Sequence, residues 1–313
     1  MSDVTNLLWV EKYRPKKLSD CILPIDLTKI FGGMLKEGKI PNMMFYGKAG
    51  TGKTTVARAL AHELNADFIL INCSEENGID VLRTKIRQFA STVSFTGNVK
   101  IVILDEFDYA TQNIQTALRG AIEEFAGNCR FIMTCNYKSR VIEPLHSRCT
   151  GLDFTVPNAE RAAIALSIMN RIETILGNEK VKYDKAVIAN LIKKHFPDIR
   201  RIINELQKYS ARGEIDVGIL AALSSESYAE LIGFMKKKDF ISCRKWVMQN
   251  IDLNTSEFFR KLYDEMYASL KPNSIPQAIL IIAEYQYKAA FAMDQEINTM
   301  ALIVQLMMEC EFA

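Results

Sequence analysis

Residues 47–54 read Gly-Lys-Ala-Gly-Thr-Gly-Lys-Thr, which satisfies Gly-x-x-x-x-Gly-Lys-(Ser/Thr), a spacing that suits phosphate binding. Glycines let the backbone curl until several N–H groups point at one phosphate, and a following helix adds its positive N-terminal end. On this reading Gly50, Thr51, Gly52 and Thr55 belong to the cradle, Lys53 reaches the β- and γ-phosphates, and the Thr54 hydroxyl ligates Mg²⁺. A plain Gly-rich turn before a helix is the competing explanation. It accounts for the glycines but not for a lysine and a hydroxyl at fixed places after them.

A second acidic element fits the first. Ile101-Val102-Ile103-Leu104 is wholly apolar, as a strand buried on both faces must be, and it ends in Asp105-Glu106. Asp105 is placed to hold Mg²⁺, directly or through water, and Glu106 to orient and deprotonate an attacking water. An acidic pair capping a strand would look the same in isolation. Its position about fifty residues after a complete phosphate loop decides for the chemical role. Asp108 lies beyond the strand end, where a helix could start, and is set aside as a ligand.

These residues need a scaffold that brings strand ends together. Short β-rich runs at Met43–Tyr46, Phe68–Asn72, Lys100–Leu104, Arg130–Cys135 and Leu152–Val156 alternate with helical stretches. The stretch after the phosphate loop carries Val56, Ala57, Leu60, Ala61 and Leu64 at helical spacing. Such alternation implies a parallel sheet covered on both faces, with ligands at the carboxyl ends of its strands. After Pro157-Asn158 the β-rich runs stop. Helical spacing then covers 162–175, 183–195 and 199–211, with breaks at Gly177-Asn178, Pro197 and Gly213. Ser224-Ser225-Glu226-Ser227 reads as a new helix start, followed by two apolar helices near 275–292 and 296–310. The expected division is an α/β nucleotide-binding domain over 1–157, a helical domain over 158–223 and a second helical domain over 224–313.

Composition limits the setting. A chain of 313 residues exceeds one compact core, and a net charge of +2 confines any nucleic-acid surface to a local patch. No stretch approaches the roughly 18 apolar residues of a membrane span, and seven scattered cysteines without a C-x-x-C pair read as reduced thiols. The expectation is a cytoplasmic protein.

Taken in order, several segments resemble the ATPase subunits of sliding-clamp loaders, in the replication factor C group of the AAA+ superfamily. They are Trp9-Val10-Glu11-Lys12-Tyr13-Arg14-Pro15-Lys16, the phosphate loop, Leu104-Asp105-Glu106, Thr134-Cys135-Asn136, Ser147-Arg148-Cys149 and Asp198-Ile199-Arg200-Arg201. Cys21-Ile22-Leu23-Pro24 and Lys39-Ile40-Pro41 are similar to the branch found in T4-like bacteriophages, which implies host cytoplasm. The segments span about the first two thirds of the chain. Over the last ninety residues only length and helical pattern match.

The resemblance implies an AAA+ sheet, a helical lid and a helical collar for oligomerisation. It implies ATP and Mg²⁺ as ligands. It also implies a sliding clamp, a second, different loader subunit, further copies of the chain (four in a five-subunit ring) and primer–template DNA as partners. Residue by residue, Asn136 resembles the sensor of the γ-phosphate, and Arg148 the finger that reaches a neighbour's ATP. Arg200 resembles the second sensor on the lid, with Arg201 its rival in register. Val10, Glu11, Lys12, Tyr13 and Ile22 resemble the adenine pocket. The same residues would also serve as a packed N-terminal strap. Gly47-Lys48-Ala49 departs from the Pro-containing lead-in common in the family.

Arg83, Lys85 and Arg87 lie on a segment resembling the helix that faces the template strand. Arg83 and Arg87 share a face and Lys85 does not. A solvated helix face explains the same charges, and both readings stay open. Gln115 and Arg119 resemble positions that couple DNA to the ATP site. The implied activity is a DNA-stimulated ATPase that opens and loads a clamp. The alternatives are a non-hydrolysing structural subunit, or another AAA+ remodeller such as a branch-migration helicase.

Overall fold

The computed structural model describes residues 8–75, 78–92, 100–211, 213–215, 228–250 and 255–312. The chain forms two units, Met1–Val217 and Gly218–Ala313.

The first unit is built on a five-stranded parallel sheet. Its strands are β1 (Met43–Tyr46), β2 (Phe68–Asn72), β3 (Lys100–Asp105), β4 (Cys129–Cys135) and β5 (Thr150–Asp153), in the order β2-β3-β4-β1-β5. Alternation along β3 explains why it is apolar throughout. Ile101 and Ile103 pack into one core with Phe31, Val56 and Leu60, and Val102 and Leu104 into the opposite core with Ile114 and Leu118. Each such side chain contributes roughly 1.5–3 kcal/mol on burial, so a charge anywhere in 101–104 would be costly. The first face is covered by α2 (Ile25–Glu37) and α3 (Lys53–Glu63), and the second by α4 (Ile79–Ser91), α5 (Gln112–Glu124) and α6 (Glu143–His146); the short α1 (Trp9–Lys12) lies apart from both cores.

β5 starts and ends earlier than the expected 152–156. Its partner β1 has only four residues, and the pairing runs from Met43↔Thr150 to Tyr46↔Asp153. Beyond it, the phosphate loop takes β1 away, and the Thr155 N–H turns onto Asp153 Oδ1 at 2.8 Å.

The helices that follow are α7 (Arg161–Asn178), α8 (Lys185–His195) and α9 (Ile199–Ser210). Their apolar stripes, including Ile168, Ile172, Ile188, Leu191, Ile202 and Leu206, are buried. Two details depart from the sequence expectation. A two-stranded parallel pair, β6 (Lys182–Tyr183) and β7 (Glu214–Ile215), adds extended structure after Pro157. Tyr183 therefore belongs to a strand, because Asp184 caps α8 by accepting the Ala186 N–H at 2.7 Å. Helix α7 runs through Gly177-Asn178, and the chain breaks at Lys180, where φ is 56°. Pro197 lies in the turn between α8 and α9.

The second unit packs α10 (Tyr228–Lys236), α11 (Phe240–Asn250), α12 (Thr255–Tyr267), α13 (Ile275–Ala289) and α14 (Gln295–Glu309) around Trp246, Phe259, Leu302 and Leu306. The expected helix start at 224–227 lies outside the described residues. Among the described residues no helix is long and apolar enough to cross a membrane.

Candidate nucleotide site

An open cleft lies within the first unit, at the carboxyl ends of β1, β3 and β4. Gly50, Thr51, Gly52, Lys53, Thr54 and Thr55 line it, together with Val10, Tyr13, Ile22, Asp105, Glu106, Asn136 and Arg200. Arg201, the rival in register, is not in the lining.

The phosphate loop needs its glycines. Gly50 has φ +73°, and a Cβ there would sit 1.8 Å from Asp198 Oδ1. Only glycine tolerates both the backbone and the approach. Asp198 itself caps α9 by accepting the Arg201 N–H at 2.9 Å, and the Ile199 N–H donates to the Gly50 carbonyl at 3.2 Å. The loop is thereby tied to the helix that carries Arg200.

Lys53 is 8% exposed and reaches back over the loop. Its Nζ donates to the Gly47 carbonyl at 2.7 Å, the Lys48 carbonyl at 2.8 Å and Asn136 Oδ1 at 2.9 Å. Burial holds the ammonium below its ordinary pKa, opposed by Cys135, Asp108 and Asp105 nearby. Thr54 Oγ1 donates to Asp105 Oδ1 at 2.7 Å, and the Thr134 hydroxyl donates to the same oxygen. One carboxylate beside one hydroxyl is a donor set that fits Mg²⁺, an ion that keeps several waters and shares its shell with phosphates. Among the described residues no cluster of three His, Cys, Asp or Glu forms a protein-only cage. Glu106 follows directly, with its N–H on Thr134 Oγ1 at 3.2 Å and a left-handed backbone, φ 53°. That conformation is strained for a residue with a side chain and is concentrated at working sites.

The N-terminal strap closes one end of the cleft. Val10 and Tyr13 line it, but Glu11 and Lys12 do not. Glu11 pairs with Arg14, and the hydrogen bond from that guanidinium holds its carboxyl below the usual range. Lys12 Nζ and Tyr13 Oη both donate to Glu179 Oε1, at 2.6 and 2.5 Å. The Trp9 N–H bonds Gln207 Oε1 at 2.9 Å, and Arg171 Nη2 bonds the Tyr13 carbonyl at 2.8 Å. Of the five residues expected in the base pocket, Glu11 and Lys12 thus point elsewhere: Glu11 braces Arg14 within the strap, and Lys12 helps fasten the strap to Glu179.

Other sequence-derived candidates lie elsewhere. Arg148 is not in the cleft. Its Nε and Nη2 donate to Glu123 Oε1 at 2.8 and 2.6 Å, and Nη1 to the Pro144 carbonyl at 2.8 Å. Arg83, Lys85 and Arg87 are exposed on α4, with Arg87 3.3 Å from Glu124. Arg119 is exposed, whereas Gln115 is buried. The Gln115 amide donates to the Ala110 and Arg140 carbonyls at 3.0 and 3.1 Å and accepts the Ile142 N–H at 2.8 Å. It stitches the loop after β3 to the loop after β4. Thr134 and Arg171, given no role from the sequence, and Asp108, set aside there as a ligand, all line the cleft. Thr134 stood next to the expected sensor and could have been found. Arg171, on a long amphipathic helix, carried no signal.

Three family models match along the chain. The ATPase family associated with various cellular activities covers residues 43–154. The lid domain and the C-terminal domain of the sliding-clamp-loader large subunit cover 160–221 and 254–311. The sliding-clamp-loader large subunit of Enterobacteria phage T4 is 34% identical over 308 residues, 96% of each chain. The chain belongs to the AAA+ sliding-clamp-loader family. The replication factor C small subunit of Sulfurisphaera tokodaii is also 34% identical, over 98% of this chain and 97% of its own. Among solved structures, the RuvB Holliday junction branch migration motor of Thermotoga maritima superposes with a TM-score of 0.53 at 19% identity. It covers 67% of this chain and 71% of the motor, a likeness of fold alone. The family makes this chain an AAA+ ATPase of the clamp-loader type.

Proposed function

We propose that this chain is the hydrolysing motor of its clamp loader: ATP assembles a ring that opens the sliding clamp, and primer–template DNA triggers hydrolysis, clamp closure and release. The carrying observation is the convergence of Lys53, Thr54, Asp105, Glu106, Asn136 and Arg200 on one cleft under a fastened strap. A non-hydrolysing subunit has no use for all six.

The chemistry follows from the geometry. Thr54 and Asp105 would hold Mg²⁺, which when bound neutralises charge on the β- and γ-phosphate oxygens. Lys53 exchanges its Asn136 contact for the γ-phosphate, freeing the Asn136 amide to orient the attacking water. Glu106 takes the proton of that water, and Arg200 brings the lid onto the phosphates. Arg148 lies outside its own cleft, and in this reading it serves the cleft of a neighbouring copy. A finger in trans is worth ~10³–10⁵ in rate, so the isolated chain is nearly inactive.

The proposed partners are further copies of this chain with one different subunit (four plus one), the sliding clamp and primer–template DNA. Arg83 and Arg87, exposed on one face of α4, are proposed to touch the DNA backbone, with Lys85 on another face, and Gln115 and Arg119 to couple that contact to the cleft. The test is steady-state ATP hydrolysis by the reconstituted loader with clamp, with and without a primed template. Stimulation by a primed template and not by a four-way junction supports the loader reading. The reverse preference favours a branch-migration activity.

A further inference from the structure

The ATPase reading leaves one buried carboxylate without a task. Asp108 sits in the short turn Phe107–Tyr109 directly after Glu106, is 6% exposed and lines the cleft. Its Oδ2 accepts the backbone N–H of Asn136 at 3.2 Å and of Tyr137 at 3.3 Å. Its Oδ1 is buried and makes no hydrogen bond.

Those two N–H groups lie where the sheet stops helping. The β3–β4 pairing ends at Leu104↔Met133, and the β1–β4 pairing ends at Tyr46↔Cys135. Asn136 follows the last paired residue, so no ladder bond fixes its backbone. Asp108 supplies the missing bond from the β3 side. A carboxylate is costly to bury and is retained where charge-assisted bonds and a nearby cation compensate it. Lys53 is the cation that lines the same cleft and shares Asn136 as a partner, through Asn136 Oδ1 at 2.9 Å. Asn136 thus joins the carboxylate, through its N–H, to the lysine, through its Oδ1, just past the ends of β3 and β4.

We infer that Asp108 is a positioning residue for hydrolysis, which fixes the Asn136 backbone so that the Asn136 amide faces Lys53 and the phosphate end of the cleft. The inference rests on the ATPase reading above. Asp108 acts on rate through Asn136 and makes no contribution to holding the nucleotide.

The test is a double-mutant cycle in the reconstituted loader, with ATP affinity, single-turnover hydrolysis and thermal midpoint measured on each variant. Asn136→Ala lowers the hydrolysis rate by about 10²-fold. Asp108→Ala lowers it by a similar factor of about 10², because a misplaced group costs that much. Both leave ATP affinity within about threefold of wild type. Adding Asp108→Ala to Asn136→Ala costs less than about threefold more, since both act on one group. Asp108→Asn, which keeps an acceptor oxygen for the two N–H groups, recovers to within about tenfold of wild type. Asp108→Leu replaces the alanine variant if that chain does not fold.

Multiplicative losses in the double variant overturn the inference. So do an Asp108→Asn chain as slow as Asp108→Ala, and an unchanged rate in Asp108→Ala. A wild-type loader that binds ATP without turning it over defeats the underlying ATPase reading, an outcome visible before any variant is made.

Discussion

Lys53 Nζ lies 2.9 Å from Asn136 Oδ1, a bond between the first turn of the helix after the phosphate loop and the far end of β4. With the Gly47 and Lys48 carbonyls it satisfies all three ammonium donors. The lysine is preorganised in its cleft, and the bond to Asn136 is the one a phosphate oxygen can replace.

Removing that ammonium separates binding from stability. Burial depresses the Lys53 pKa. A lysine with a lowered folded pKa destabilises the fold at every pH below that value, and the penalty is relieved only as pH rises through it. Lys53→Met relieves that penalty but leaves the Gly47 and Lys48 carbonyls and Asn136 Oδ1 without their donor. The two effects oppose, and the thermal midpoint of the nucleotide-free chain moves by no more than about 4 °C. The substitution weakens ATP binding by about 10²-fold through loss of a charged contact to phosphate. Calorimetric scans and nucleotide titrations measure both. A larger shift of the midpoint, or unchanged affinity, contradicts the assignment.

The strap gives an acid-sensitive signal. Hydrogen bonds from Lys12 and Tyr13 hold the Glu179 carboxyl below its ordinary value of 4.5. A depressed carboxyl contributes stability above its unfolded pKa and loses it as pH falls through the lower folded value. Quenching of the buried Trp9, read in a Trp246→Phe background, stays constant from pH 7 to about 4.5 and rises only below that. Glu179→Gln shows the raised quenching already at pH 7 and weakens ATP binding by about fivefold or less, since solvent screens the contact. Quenching indifferent to both changes would mean that Glu179 does not fasten the strap.

Arg148 supplies the oligomer test. Its guanidinium rests on Glu123 and the Pro144 carbonyl, with a third of the side chain exposed, a surface contact that a neighbour's phosphate can displace. Arg148→Ala leaves ATP affinity of the isolated chain unchanged and lowers hydrolysis in the loader by ~10³-fold or more. Mixing Arg148→Ala chains with Glu106→Gln chains restores part of the rate, because some interfaces pair an intact carboxylate with an intact finger. A mixture as inactive as both parents at every ratio, with assembly verified, places the arginine's action within its own chain.

Much of this site was legible in order of residues, because its parts sit at strand ends. Apolar runs such as 101–104 mark buried parallel strands, and the polar residues that terminate them, Asp105-Glu106 and Asn136, fall at the carboxyl edge by construction. What escaped depends on partners distant in sequence. Glu11 and Lys12 looked like pocket residues because they sit among ones that are. Their orientation is set by Arg14 and by Glu179, the latter 167 positions from Lys12. Asp108 was set aside because it lies past its strand. The close approach of the β3 and β4 loops returns it to the cleft. The β6–β7 pair joins segments 32 residues apart and is two residues long, too short for any alternation to register.

The central claim is that the cleft hydrolyses ATP by a division of labour, with Lys53 binding and Glu106 activating water. The direct measurement is ATP affinity beside single-turnover hydrolysis for Glu106→Gln in the reconstituted loader. Affinity within about threefold of wild type with the rate down by at least ~10²-fold is the predicted result, since the carboxylate acts on water and not on the nucleotide. Equal losses of affinity and rate, or turnover at the wild-type rate, contradict it.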